Sequence, residues 1–376
     1  MEFTKLDRFI DDMPQRGIPM FDLAVSYKGE TVYRHMSGHS DEALTKPTSD
    51  KDVYWIFSNT KVMTCIAAMR LVEEGKLALD DKLSKYIPDF EKMFVKNQDG
   101  SIRPAKNDIT ILHLFTMTAG FDYNLYTAPV KEAMERGAYT LDVVKALSKM
   151  PIGFEPGTHY RYSLCHDVLA AVVEVVSGMR FSEYADKYIF KPLSMNDTGF
   201  IPTEEQMSRI SAMYNYHSGL NKAIPTESTN KYYAISANYD SGGAGLFSTV
   251  DDYLKMLTAV AMGGTSKDGY RLLSPESIEM MGKNFLCDDA RKDFSTTRMA
   301  GYGWGLCGRA HVDPVVSLSR SSVGEFGWDG AAGALSLMDP EKQIALYLGT
   351  HVKGCQYIYH RVHPEIINMV YEMLGF

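Results

Sequence analysis

The sequence predicts an α+β fold in which both ends of the chain supply strands and helices and the middle supplies a helical lobe. Three observations carry this. Residues 20–35 read as a strand hairpin, residues 332–349 read as strands again, and residues 80 to about 240 read mostly as helices and loops with little alternation. The expected domains are therefore 1–79 with 241–376, bearing the sheet, and 80–240 as the lobe. A chain of 376 residues is long enough to bury two such cores.

Residues 1–15 place Phe3, Leu6, Phe9 and Ile10 on one side of an amphipathic helix. Met20–Tyr27 and Thr31–His35 alternate as strands around Lys28-Gly29-Glu30, a hairpin signal. The apolar run Val53-Tyr54-Trp55-Ile56-Phe57 then stops at Ser58-Asn59-Thr60-Lys61. Val62, Ile66, Met69, Leu71 and Val72 follow at helical spacing, and Gly75 is placed to end that helix. At the far end Ala332–Met338 and Gln343–Gly349 flank Asp339-Pro340 as strands, and Pro364–Leu374 closes the chain as a helix. A cleft between lobes is a common place for a small-molecule site.

Composition narrows the function classes. A formal charge of −8 and a pI near 5.7 offer no basic stripe for phosphates, so nucleic acid is not an expected partner. No run approaches the roughly 18 apolar residues of a membrane span, and the N-terminus has no signal-type apolar stretch. Five scattered cysteines, an odd number, suit a reducing cytoplasm better than a disulfide framework. Oligomeric state is not legible.

The chemistry-bearing feature is Ser58 with Lys61. Three residues apart on a helix, they share one face, one turn from each other. A serine needs a base to take its proton, and a lysine whose pKa is pulled down by burial can be that base. The helix N-terminus adds free N–H groups and a positive dipole end. The plain alternative is an N-cap serine followed by a surface lysine. The same spacing recurs at Ser228 and Lys231, without apolar periodicity after it, and reads as a loop.

Longer segments extend the pattern. They are Glu74–Phe90, Ile109–Gly120, Pro156-Gly157 before Tyr160-Arg161-Tyr162-Ser163, Ile189–Phe200, Ser241–Thr249 and Gly301–Gly305. Together they resemble the serine β-lactamase and penicillin-recognising family, in the branch of class C β-lactamases and family VIII carboxylesterases. The resemblance implies a β-lactamase/transpeptidase-like fold, an antiparallel sheet flanked by helices plus a helical lobe. It implies Ser58 as nucleophile and Lys61 as its partner.

The resemblance also implies a catalytic tyrosine, best matched by Tyr162 in Tyr162-Ser163-Leu164, with Tyr160 the competing choice. Leu164 stands where β-lactamases carry an asparagine amide. Trp328-Asp329-Gly330 matches the family's Lys-Thr-Gly, so an indole replaces the cation that holds a substrate carboxylate. The plain alternative for Trp328 is a core tryptophan beside a turn. The N–H groups of Ser58 and Ala331 would form the oxyanion hole, and Gly330 would admit substrate close to the backbone. Tyr160, Leu164, Trp328 and Gly330 are the expected substrate-binding residues.

Other residues carry weaker signals. His360 and His363 lack a third metal ligand, so no metal site is expected. Asp167 and Asp329 read as orienting groups. Gly242-Gly243-Ala244-Gly245 has no lysine at phosphate-loop spacing and reads as a turn near the cleft. The expected activity is a cofactor-independent serine hydrolase working through an acyl-enzyme, most of all a carboxylesterase on small neutral esters. A β-lactamase, an amide or oligomer hydrolase and an acyl transferase are alternatives within the chemistry. A non-catalytic binding module is the alternative outside it.

Overall fold

The computed structural model describes residues 3–226 and 238–376; Ser228 and Lys231 lie outside the described residues. The helices that matter here are α1 (Thr4–Asp11), α2 (Thr60–Glu73), α3 (Cys165–Ser177), α4 (Val250–Ala261) and α5 (His363–Met373). The main sheet holds β1 (Met20–Tyr27), β2 (Glu30–Gly38), β3 (Tyr302–Gly305), β4 (Gly308–His311), β5 (Phe326–Gly327), β6 (Leu335–Asp339) and β7 (Ile344–Gly349). Its seven strands run in the order β2-β1-β7-β6-β5-β4-β3, and every neighbouring pair is antiparallel. All of them come from residues 20–38 and 302–349, so the two ends of the chain meet where Leu23 pairs Leu348.

The hairpin is tighter than its sequence suggests. Lys28 and Gly29 both take positive φ, 53° and 82°, and the second strand resumes at Glu30. A two-residue loop of this hand matches the natural twist of the strands it joins. β1 is buried along nearly its whole length. α4 packs on β1, β6 and β7, while α1 lies along β2 and against α5.

α2 differs from the amphipathic helix expected. Every residue from Thr60 to Met69 is buried, because α3 packs on the helix and the segments around Cys307 and Gly242 close on it as well. A helix packed on all sides needs no polar face. It ends as its sequence indicates. Gly75 takes φ +67° and the Lys76 N–H returns to Leu71 O at 3.0 Å.

The middle of the chain supplies Ile111–Phe115, Ala128–Glu135, Thr140–Leu147 and α3, which pack on one another. A short hairpin, Tyr214–His217 with Lys222–Pro225, pairs in parallel with Val352–Lys353 and ties this region to the strand-rich end. β3, β4 and β5 carry no readable alternation. They span two to four residues each, and glycines occupy Gly303, Gly305, Gly308 and Gly327 within them.

Candidate active site

Ser58 sits in the single 3₁₀ turn Phe57–Asn59, immediately ahead of α2, and is 8% exposed. Phe57 takes φ +49°, a left-handed conformation that costs a non-glycine residue about 1 kcal/mol or more. The surroundings hold it there. Tyr54–Trp55 pairs with Phe247–Ser248, and the Ile56 N–H donates to Leu246 O at 3.1 Å. The Trp55 N–H donates to His351 Nε2 at 3.1 Å, while His351 Nδ1 donates to Ser211 O at 3.0 Å. Burial lowers the His351 pKa to about 4, so the imidazole stays neutral and keeps one donor and one acceptor.

One turn on, Lys61 is 1% exposed. Its ammonium donates to Gly243 O at 2.7 Å, to Ser58 Oγ at 3.3 Å and to Tyr123 OH at 3.4 Å. Burial pulls its pKa down to about 8, and Asp167 opposes that shift. A lysine in this state holds a useful fraction of neutral amine near neutral pH.

Asp167 is itself buried in α3. It accepts from Tyr239 OH at 2.8 Å, Ser241 Oγ at 2.6 Å and the Gly243 N–H at 3.3 Å, fixing the turn that presents Gly243 O to Lys61. A Cβ on Gly243 would lie 2.4 Å from Asp167 Oδ2, so close approach requires glycine there.

Of the two competing tyrosines, it is Tyr162 whose hydroxyl reaches Ser58. That hydroxyl also accepts from Trp328 Nε1 at 3.0 Å. Burial raises its pKa well above the ordinary phenol value, with the bonds to Ser58 and Trp328 acting against it, so it remains a neutral phenol. Lys61 Nζ lies 4.6 Å from its ring centroid. Tyr160 packs its ring against Phe294 and Trp304, at 5.1 and 5.3 Å between centroids, and forms cleft wall.

The Trp328-Asp329-Gly330 segment faces Ser58 across the cleft. Asn59 joins the two sides, its amide nitrogen facing Trp328 O at 3.1 Å and Ser336 Oγ at 2.7 Å. A Cβ on Gly330 would meet Ile56 O at 2.6 Å, which restricts that position to glycine. Among the described residues the Ala331 N–H has no backbone acceptor. Ser58, Tyr160, Tyr162, Trp328, Gly330 and Ala331 line one open cleft of about 410 Å³.

Leu164 is not with them. It is 2% exposed, packed in the core ahead of α3, and does not line the cleft. Its substrate-binding role is corrected accordingly: an apolar side chain at that point turns inward. Its backbone still matters, since the Leu164 N–H donates to Asp122 O at 3.1 Å and anchors the segment carrying Tyr123. The histidine pair also separates. His363 is buried with Nε2 2.9 Å from Gly333 O, and His360 is exposed.

Sequence reasoning missed Tyr123, the Gly243 carbonyl and Arg298. Arg298 lines the same cleft, with its guanidinium 6.0 Å from the Trp328 ring centroid, and forms an ion pair with Asp329. A cation therefore does reach the site, with its charge already matched by a carboxylate.

The sequence pattern of the Beta-lactamase family matches residues 6–354. The chain belongs to the β-lactamase family. Protein Rv1367c of Mycobacterium tuberculosis (strain ATCC 25618 / H37Rv) is 30% identical over 328 residues, 84% of this chain and 81% of that one. Esterase EstB of Burkholderia gladioli is 28% identical over 355 residues, 87% of this chain and 84% of its own. Among solved structures, EstCE1, "a hydrolase with promiscuous acyltransferase activity", superimposes with a TM-score of 0.81 at 25% identity, covering 98% of both chains. As a β-lactamase-family protein with these relatives, the chain is a serine hydrolase.

Proposed function

We propose that the protein is a carboxylesterase acting on small, neutral esters through an acyl-enzyme on Ser58. The observation that carries this is Ser58 Oγ, hydrogen-bonded to Tyr162, standing 3.3 Å from the buried amine of Lys61 and opening on the cleft. In this reading neutral Lys61 takes the Ser58 proton as Oγ bonds the acyl carbon. The N–H groups of Ser58 and Ala331 stabilise the oxyanion, donors typically worth ~3 kcal/mol each. Tyr162, a neutral phenol between Ser58 and the cleft, passes the proton to the departing alkoxide and is restored through Lys61. Water then cleaves the acyl-enzyme.

Three features support neutral esters as substrates. Trp328 offers an apolar wall and one N–H, and that N–H is taken by Tyr162. The Arg298 charge is matched by Asp329, so a substrate carboxylate would have to displace a carboxylate already in place. Leu164 gives the cleft no amide. The relationship to esterase EstB agrees with this reading. That to EstCE1 supports a second one, in which an alcohol replaces water in the final step.

The test sets p-nitrophenyl acetate and butyrate against nitrocefin. The unmatched carboxylate of nitrocefin forgoes roughly 1.5–3 kcal/mol of charge-assisted bonding. The esters should therefore lead in kcat/KM by roughly ten- to a hundredfold. Nitrocefin turnover rivalling the best ester would overturn the neutral-ester reading.

A further inference from the structure

Tyr123 enters the site from a loop in which sequence shows no chemistry. Its ring stacks on Tyr162 with an interplanar angle of 1° and centroids 5.6 Å apart. Lys61 Nζ stands over both rings, 5.3 Å from the Tyr123 centroid and 4.6 Å from that of Tyr162. The loop is pinned at its base. Asp122 O accepts from the Leu164 N–H at 3.1 Å, and Asp122 Oδ1 accepts from the Asn124 N–H at 2.9 Å. The same short segment thus sets Tyr162 and, through Leu164, Tyr123.

We propose that Tyr123 is a positioning residue whose hydroxyl takes one N–H of Lys61 and so turns the lysine lone pair toward Ser58. This rests on the reading of Lys61 as the base. The argument is one of valence. A neutral amine has two N–H groups and one lone pair, and Lys61 has three oxygen partners, Gly243 O, Ser58 Oγ and Tyr123 OH. The Gly243 carbonyl only accepts, so it claims one N–H. The two hydroxyls are able to donate or accept. When Tyr123 accepts the second N–H, the lone pair is left facing the Ser58 hydroxyl. The proton then moves from Ser58 Oγ to Lys61 Nζ as Oγ bonds the acyl carbon. The resulting ammonium has an oxygen for each of its N–H groups.

The same contact sets a sign for pH. Facing Lys61 are Cys65 from α2, Cys165, His166 and Asp167 from α3, Asp329 from the opposite wall, and the two tyrosines. An accepting hydroxyl favours the ammonium over the amine. Deleting it lowers the Lys61 pKa, so the acid limb of kcat/KM moves to lower pH.

The experiment is a pH profile of p-nitrophenyl acetate hydrolysis by wild type, Tyr123→Phe and Lys61→Met. Phenylalanine keeps the stack and the cation–π contact and removes only the hydroxyl. Tyr123→Phe should lose about tenfold in plateau kcat with KM near wild type, and its acid limb should move down by about half to one pH unit. The deficit is then smaller at low pH than on the plateau. An unchanged plateau, or a lowered plateau with the limb unmoved, overturns the positioning role. A wild type without an acid limb, or a Lys61→Met enzyme that keeps its plateau rate, overturns the base reading instead.

Discussion

Ser58→Ala should lower p-nitrophenyl acetate hydrolysis by roughly 10⁴-fold or more while the protein stays folded. Removing a nucleophile that acts as a unit with its base leaves only binding and oxyanion stabilisation, so the loss is close to that of removing the whole machinery. The structural cost is small. Ser58 makes no side-chain cap to α2, and what is lost is its hydrogen bonding to Lys61 and Tyr162, about 0.5–1.5 kcal/mol for a typical bond. Thermal unfolding measured beside the kinetics separates the two effects. A folded Ser58→Ala protein with substantial esterase activity would remove this serine from the mechanism.

Lys61→Met should lower kcat by about 10³-fold, the middle of the range for general-base catalysis, with KM little changed. Methionine keeps most of the buried volume and removes the amine. Lys61 does not line the cleft, so substrate binding has no direct stake in it. The Gly243 carbonyl loses its donor and buried Asp167 loses the cation it interacts with at Lys61, so some loss of stability accompanies the loss of rate. A variant with raised KM and near-normal kcat would make Lys61 a binding group.

Ser58 and Lys61 were legible in sequence because a helical turn brings residues three apart together, and because the apolar periodicity and the longer family segments around them set this pair apart from the same spacing at Ser228 and Lys231. Tyr162 was legible only to within two residues. Tyr160 and Tyr162 flank the same arginine, and which hydroxyl turns toward Ser58 depends on how this segment docks, with the Arg161 N–H on Met117 O and the Leu164 N–H on Asp122 O, contacts that no local pattern encodes. Trp328 and Gly330 were readable as cleft residues through the family motif, while the close approach that restricts position 330 to glycine, against Ile56 O, is seen only in the structure.

Tyr123 and Arg298 were invisible for a different reason. Each meets its partner from a distant part of the chain, 62 residues from Lys61 and 31 residues from Asp329 respectively, and each lies in a segment without periodicity. Leu164 shows the converse failure. Motif register put it in the cleft, and apolar burial put its side chain in the core. In the fold, the hairpin and the long strands β1 and β7 were readable from alternation. β3 to β5 were not, because two to four residues with glycine leave no pattern. α2 was recognised as a helix, but its burial on every side comes from neighbours distant in sequence, α3 on one side and the residues around Cys307 and Gly242 on others.

The central claim is that Ser58 carries the acyl group. A fluorophosphonate probe tests it directly, by intact-protein mass and peptide mapping of wild type and Ser58→Ala. One adduct per chain, mapped to Ser58 and missing from Ser58→Ala, is the expected result. Equal labelling of both proteins, or an adduct on another residue, would contradict it.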